Sequence, residues 1–146
     1  MTFLAAILAA TLGLAPQTAH ADPAWTWTLY ADHTPVVLAN EAPDTPNLKV
    51  TLECDPGSSV ARLTLYGGAT GTGMARLAAG EAAAVAQAEP GRGAGFRVTL
   101  RTDHPVFAAF AADGRLAVTL GDDRRTVEVE RAYLDKLRRF AELCTG

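Results

Sequence analysis

Polar and apolar residues alternate along most of the chain. Trp25, Trp27 and Leu29 recur at every second position, with Thr26 and Thr28 between them. Leu48, Val50, Leu52 and Cys54 alternate with Lys49, Thr51 and Glu53, and Phe96, Val98 and Leu100 with Arg97, Thr99 and Arg101. Leu116, Val118 and Leu120 repeat the pattern against Ala117 and Thr119. A period of two turns one face of an extended strand to a core and the other to water. Strands of that kind belong to antiparallel sheets, because strands of a parallel sheet covered on both faces read as unbroken apolar runs. The turn chemistry agrees. Asp55-Pro56-Gly57 suits a type II turn from the strand ending at Cys54 into SVARLTLY, and Gly121-Asp122-Asp123 suits a tight hairpin into RTVEVE. The Ala-rich stretch 74–89 is open between helix and strand. Alanine and glutamate favour a helix, but Gly80 sits in the middle and no stripe of 3.6 spacing appears, so two short strands turning at Gly80-Glu81 are expected.

Two segments switch to helical spacing. In TDHPVFAAFAADG, Asp103 is the expected N-cap, Pro105 stands near the first helical position, Phe107, Phe110 and Ala111 share a face, and Asp113-Gly114 supplies the stop. In RAYLDKLRRFAELC, Tyr133, Leu137, Phe140 and Cys144 form an apolar stripe opposite Arg131, Asp135, Arg138, Arg139 and Glu142. Asp135 and Arg139 stand at i and i+4 in the favourable order. The expected fold is therefore mainly β, an antiparallel β-sandwich or barrel-like sheet with one short inserted helix and a C-terminal helix.

The N-terminus changes the chemistry to be expected. Thr2 to Ala15 is an uncharged apolar run, followed by Pro16 and by small residues at Ala19-His20-Ala21. This is the pattern of a signal peptide, residues 1–21, cleaved before Asp22. The run is short for a membrane span, and no cysteine follows it to carry a lipid; an N-terminal anchor is the alternative. Residues 22–146 then form a single exported β-rich domain, periplasmic or secreted, with no membrane insertion after processing. In that oxidising compartment the two cysteines, Cys54 and Cys144, are expected to pair. Strand alternation turns Cys54 inward and helical spacing turns Cys144 inward, as a crosslink requires. A net charge of -3 gives no electrostatic reason to expect nucleic acid or an anionic membrane as partner.

Candidate chemistry is sparse. The run LTLYGGATGTG ends a strand in glycines, yet Gly67, Gly68, Gly71 and Gly73 do not give the dinucleotide spacing, and no Gly-Lys-Ser/Thr follows to make a P-loop. No cofactor is expected. Asp32-His33 and Asp103-His104, each beside a proline, offer two imidazoles and two carboxylates that a zinc site could use, but turn and cap roles explain them as well, so no metal is expected. Ser58 and Ser59 lie in a turn without a nucleophile elbow, and no catalytic residue is assigned. Trp25, Trp27 and Tyr30 are either core or a binding platform. Arg97, Arg101, Arg115, Arg124 and Arg125 could line one solvent face, with Glu128 and Glu130 neutralising much of it.

Two resemblances bear on function. The export signal, the one-sided strands and the run FAAFAADGRLAVTLG before a final helix resemble small exported proteobacterial β-sandwich proteins of the invasion-associated locus B type. The segment LECDPGSSVARLTLYGG is similar to periplasmic inhibitors of lysozyme, small β-barrels with a cysteine near the first turn. Those carry an S-G-x-x-Y loop, and the nearest stretch here, Gly93-Ala94-Gly95-Phe96, lacks both the serine and the tyrosine. Neither resemblance transfers a functional residue. The expectation is an exported non-enzymatic protein that binds another protein or a cell-envelope component, with an inhibitor of an envelope or host hydrolase, working through the GGATGTG or PGRGAG loop, as the alternative.

Overall fold

The computed structural model describes residues 15, 24–68, 70–93 and 95–146. The export segment 1–21 lies outside these residues except for Ala15, as does Asp22. The strands are β1 (Thr26–Tyr30), β2 (Val36–Glu41), β3 (Leu48–Cys54), β4 (Val60–Tyr66), β5 (Gly73–Ala79), β6 (Ala82–Pro90), β7 (Gly95–Arg101), β8 (Arg115–Leu120) and β9 (Asp123–Glu128). Helix α1 (Pro105–Asp113) is inserted between β7 and β8, and helix α2 (Leu134–Cys144) follows β9 through a 3-10 turn, Arg131–Tyr133. The strands form one curled antiparallel sheet, a half-barrel, in the order β1-β2-β3-β4-β7-β6-β5-β8-β9. No helix among the described residues is long and apolar enough to cross a membrane.

The period-two pattern becomes rows of side chains on the concave face. Trp27, Asn40, Val50, Leu65 and Phe96 stand side by side across five strands. The next row is Leu29, Leu38, Leu52, Leu63, Val98 and Ala88. On the other arm Leu77 stands beside Val118, and Leu116 beside Val127. The buried apolar residues of these rows, with Phe107, Phe110, Leu137 and Phe140 from the helices, make one cluster, and Leu29 packs against it. Burying a single leucine or phenylalanine side chain of this kind contributes about 1.5–3 kcal/mol.

β2 carries no alternation in the sequence. Its run VVLAN is nearly all apolar, because Ala39 on the convex side is also buried while the polar Asn40 faces the concave side. The stretch 74–89 is a hairpin of two strands, with Ala79 opposite Ala82 across Gly80-Glu81. Gly80 has φ +56, a left-handed conformation that glycine adopts without steric cost and that a two-residue hairpin needs. The 55–58 turn also forms: Gly57 has φ +71, and the Ser58 amide donates to the Asp55 carbonyl at 3.1 Å.

The helices plug one end of the half-barrel. α1 lies against β5, β6 and β8, α2 against β1 and β2, and the two touch each other. α1 buries Val106, Phe107 and Phe110; α2 buries Leu137, Phe140 and Cys144. Cys54 and Cys144 form a disulfide, so the end of α2 is tied to the end of β3. The same junction is stitched by backbone bonds. The amides of Gly57 and Ser59 donate to the carbonyls of Leu143 and Cys144 at 2.9 and 2.7 Å, satisfying groups that a helix end leaves open. Arg139 places Nη1 3.2 Å from Glu142 and does not pair back to Asp135.

Candidate functional site

The curled sheet brings its two outer strands together without pairing them. Eight antiparallel steps separate β1 from β9, so the two edges run in the same direction and leave a seam. Side chains latch it. The Trp27 indole Nε1 donates to the Glu128 carbonyl at 3.1 Å. Lys136 Nζ, from α2, donates to the Trp27 carbonyl at 2.8 Å. Arg125 closes the other end: its register with Val118 and Leu77 puts it on the concave face, and its guanidinium donates to the Tyr66 carbonyl at 2.9 Å and to the Gly67 carbonyl. Asp123 pairs with the same guanidinium at 3.0 Å.

Between these latches lies a cleft of about 350 Å³, lined among others by Trp25, Asn40, Lys49, Tyr66, Arg125 and Glu130. Lys49 Nζ stands 4.2 Å from the centre of the Trp25 ring, a cation–π contact. The Tyr66 hydroxyl lies 3.3 Å from Thr51 Oγ1. Trp25 and Tyr66 also line an adjoining shallow depression with Pro46, Asn47 and Arg92. The site therefore offers ring faces, both signs of charge and amide groups around a shelf of two aromatic residues.

The structure sorts the residues singled out in the sequence. Trp27 is core at 1% exposure, Trp25 is half-buried on the rim of the cleft, and Tyr30 is 47% exposed on β1 away from it. The five arginines do not share a face. Arg97 pairs with Glu89 at 3.2 Å and Arg101 with Asp103 at 2.7 Å, while Arg125 turns inward and leaves only Arg115 and Arg124 on the convex side of β8 and β9. Neighbouring residues of a strand point to opposite faces, so Arg124 and Arg125 are necessarily separated. Arg125 and Asn40, polar residues on the concave face, are site members that pattern reading missed: Arg125 was expected on a solvent face, and Asn40 closes the nearly all-apolar run of β2.

The Asp-His pairs are not brought together. Asp32 and His33 are exposed in the β1–β2 link, beside a cis Thr34–Pro35 peptide. His104 lies beyond β7, and the order β2-β3-β4-β7 puts three strand spacings, about 14 Å, between the two links. Asp103 is not the cap of α1: its carboxylate is taken by hydrogen bonds from Arg101, which hold it below the usual carboxylate range. The cap is His104, whose Nδ1 accepts from the Val106 amide at 3.1 Å. His104→Ala should cost about 1 kcal/mol, with Asp or Asn at 104 recovering most of it, and His33→Ala should leave the melting temperature unchanged. Thermal melts of these variants check this. Ser59 is structural too. It takes φ +57, its amide and carbonyl bond Cys144 and Thr102, and its hydroxyl accepts from the Gly146 amide at 3.0 Å.

No family model matches the chain, and no curated protein or solved structure matches it either.

Proposed function

We propose that the chain is an exported binding domain, not an enzyme, and that its seam cleft holds part of another protein or of a cell-envelope component. The observation that carries this reading is the Trp25–Tyr66 shelf, with Lys49 and Arg125 beside it, at the open part of the seam. Aromatic side chains offer contact area at low entropic cost and are the usual anchors of such surfaces. The disulfide between Cys54 and Cys144 supports a life in an oxidising compartment, periplasmic or extracellular. Purified protein used as bait on a cell-envelope fraction should retain a specific component, and Trp25→Ala with Tyr66→Ala should reduce its capture by about tenfold or more while leaving the circular dichroism of the folded protein unchanged. Equal capture by wild type and double variant would remove the shelf from the site.

One observation favours inhibition of a hydrolase as the second reading. Arg125 grips the Tyr66 and Gly67 carbonyls, which fixes the root of the glycine loop beginning at Gly67. A loop inserted into an enzyme cleft gains affinity when it is ordered beforehand. Under this reading Arg125→Ala weakens inhibition of a cell-wall hydrolase, whereas under the first it acts through the cleft alone.

A further inference from the structure

Among the described residues, the two outer strands of the sheet carry devices against pairing. On β1 the Trp27 carbonyl is taken by Lys136. β9 bears Asp123, Arg124, Arg125 and Glu128, and its Glu128 carbonyl is taken by the Trp27 indole. Charged side chains and covering groups are the means by which sheets keep edges from joining other chains.

A third stretch belongs to β6: α1 lies against this strand, but no charged side chain stands on its residues 82–87. β6 pairs with β7 only from Ala88 to Pro90, so from Ala82 to Gln87 its side away from β5 has no partner strand. That segment, AAAVAQ, contains no charge and no proline. Its free backbone groups follow from the hairpin. The two-residue turn closes on Ala79 and Ala82, which bond each other across β5 and β6, so by alternation the N–H and C=O of Ala83, Val85 and Gln87 point to the open side. A second observation falls on the same hairpin. Val85 and Met74, 60% and 58% exposed, are two of the three large hydrophobic residues that stand exposed among the described residues.

We infer that β6 pairs antiparallel with β6 of a second copy of this chain, about a two-fold axis through Ala84. Charge selects the register. With the axis at Ala84, Glu81, in the turn just before β6, comes to the end of the pairing beside the second copy's Gln87, whose amide can donate to the carboxylate, and symmetry repeats the contact. Ala83 stands opposite Val85, Ala82 opposite Ala86, and Ala84 opposite itself, so the facing residues are small and uncharged. An axis at Val85 would set Glu81 against Glu89, a like-charge pair, and an axis at Ala83 would set Glu81 against Val85. The pairing is isologous and stops at two copies. A strand of this length buries less than a standard interface, so the dimer belongs in the micromolar range or weaker.

Sedimentation of the disulfide-intact protein over rising concentration tests the pairing. A dimer should grow in with concentration. Val85→Pro removes a donor from the open side of β6 but none from the β5 ladder, and should leave monomer with an unchanged disulfide and melt. Ala84→Cys should give a covalent dimer on oxidation, because the two copies' Cβ atoms meet at the axis about 5 Å apart. A protein that stays monomeric at millimolar concentration overturns the inference, as does a dimer that Val85→Pro leaves intact or that Ala84→Cys does not crosslink. None of these substitutions touches Trp25 or Tyr66, so the result is independent of the seam cleft.

Discussion

Cys144→Ser should be among the most damaging single changes in this protein, costing about 4–5 kcal/mol and lowering the melting temperature by roughly 15–20 °C. The bridge joins residues 90 positions apart, so cutting it frees a long loop in the unfolded chain. Both sulfurs are fully buried, at 0% exposure, and a serine there would carry an unpartnered hydroxyl into the core. Cys144→Ala should therefore be milder than Cys144→Ser by about 1 kcal/mol, and the difference between the two isolates the polar term from the lost crosslink. Reduction of the wild type should not simply detach α2. Leu137 and Phe140 still pack it, and the amides of Gly57 and Ser59 still hold the Leu143 and Cys144 carbonyls. The expected result is an early melting step of the helix end, read by far-ultraviolet circular dichroism, ahead of the sheet. Titration of the denatured, unreduced protein should find no free thiol; two thiols per chain would refute the bridge.

The crosslink was legible because two local periodicities each pointed a cysteine inward, and periodicity survives in sequence whatever the rest of the chain does. The same holds for β3, β7 and β8, whose one wet face leaves a mark at every second residue. β2 left none. It is flanked by β1 and β3, with Ala39 buried on the side that solvent usually covers, so its residues were free to be apolar on both faces. The hairpin at Gly80 was decided by a left-handed glycine against the helical preference of its alanines, an instance of tertiary pairing outweighing propensity. The cap of α1 moved by one residue, from Asp103 to His104, because Arg101 two positions back competes for the aspartate. The candidate site was the least legible part. The seam depends on how far a nine-stranded sheet curls before its edges meet, and Trp25, Tyr66 and Arg125 come together only through that curl. What a single sequence can show is the exception inside a strand: Asn40 is the polar residue in the apolar run of β2, Arg125 stands two residues before Val127 on the same face of β9, and both line the cleft.

Gly114→Ala should cost about 3 kcal/mol, well beyond what a helix stop alone explains. Gly114 ends α1 in a left-handed conformation, φ 76 and ψ 13, with its amide donating to the Phe110 carbonyl at 2.7 Å. That much was readable from Asp113-Gly114, and for a residue with a Cβ it carries a penalty of about 1 kcal/mol. The second reason lies far away in sequence. The Gly114 carbonyl accepts from the Val129 amide at 2.7 Å, which draws the segment after β9 onto the helix end. A Cβ on Gly114 would run into the Val129 carbonyl oxygen and come within 2.7 Å of Leu134 Cδ2. Backbone cannot yield as a flexible side chain does, so this crowding adds about 1–3 kcal/mol and should loosen the entry into α2. Gly80→Ala is the matched control. Gly80 has a similar φ of +56, but the nearest atom to its added Cβ is Ala109 Cβ at 4.0 Å, ordinary contact, so only the conformational penalty of about 1 kcal/mol remains. Urea unfolding midpoints of the two variants measure the difference. A loss at Gly114 two to four times that at Gly80 is the expected result, and equal losses would mean that the Val129 segment can move away without cost.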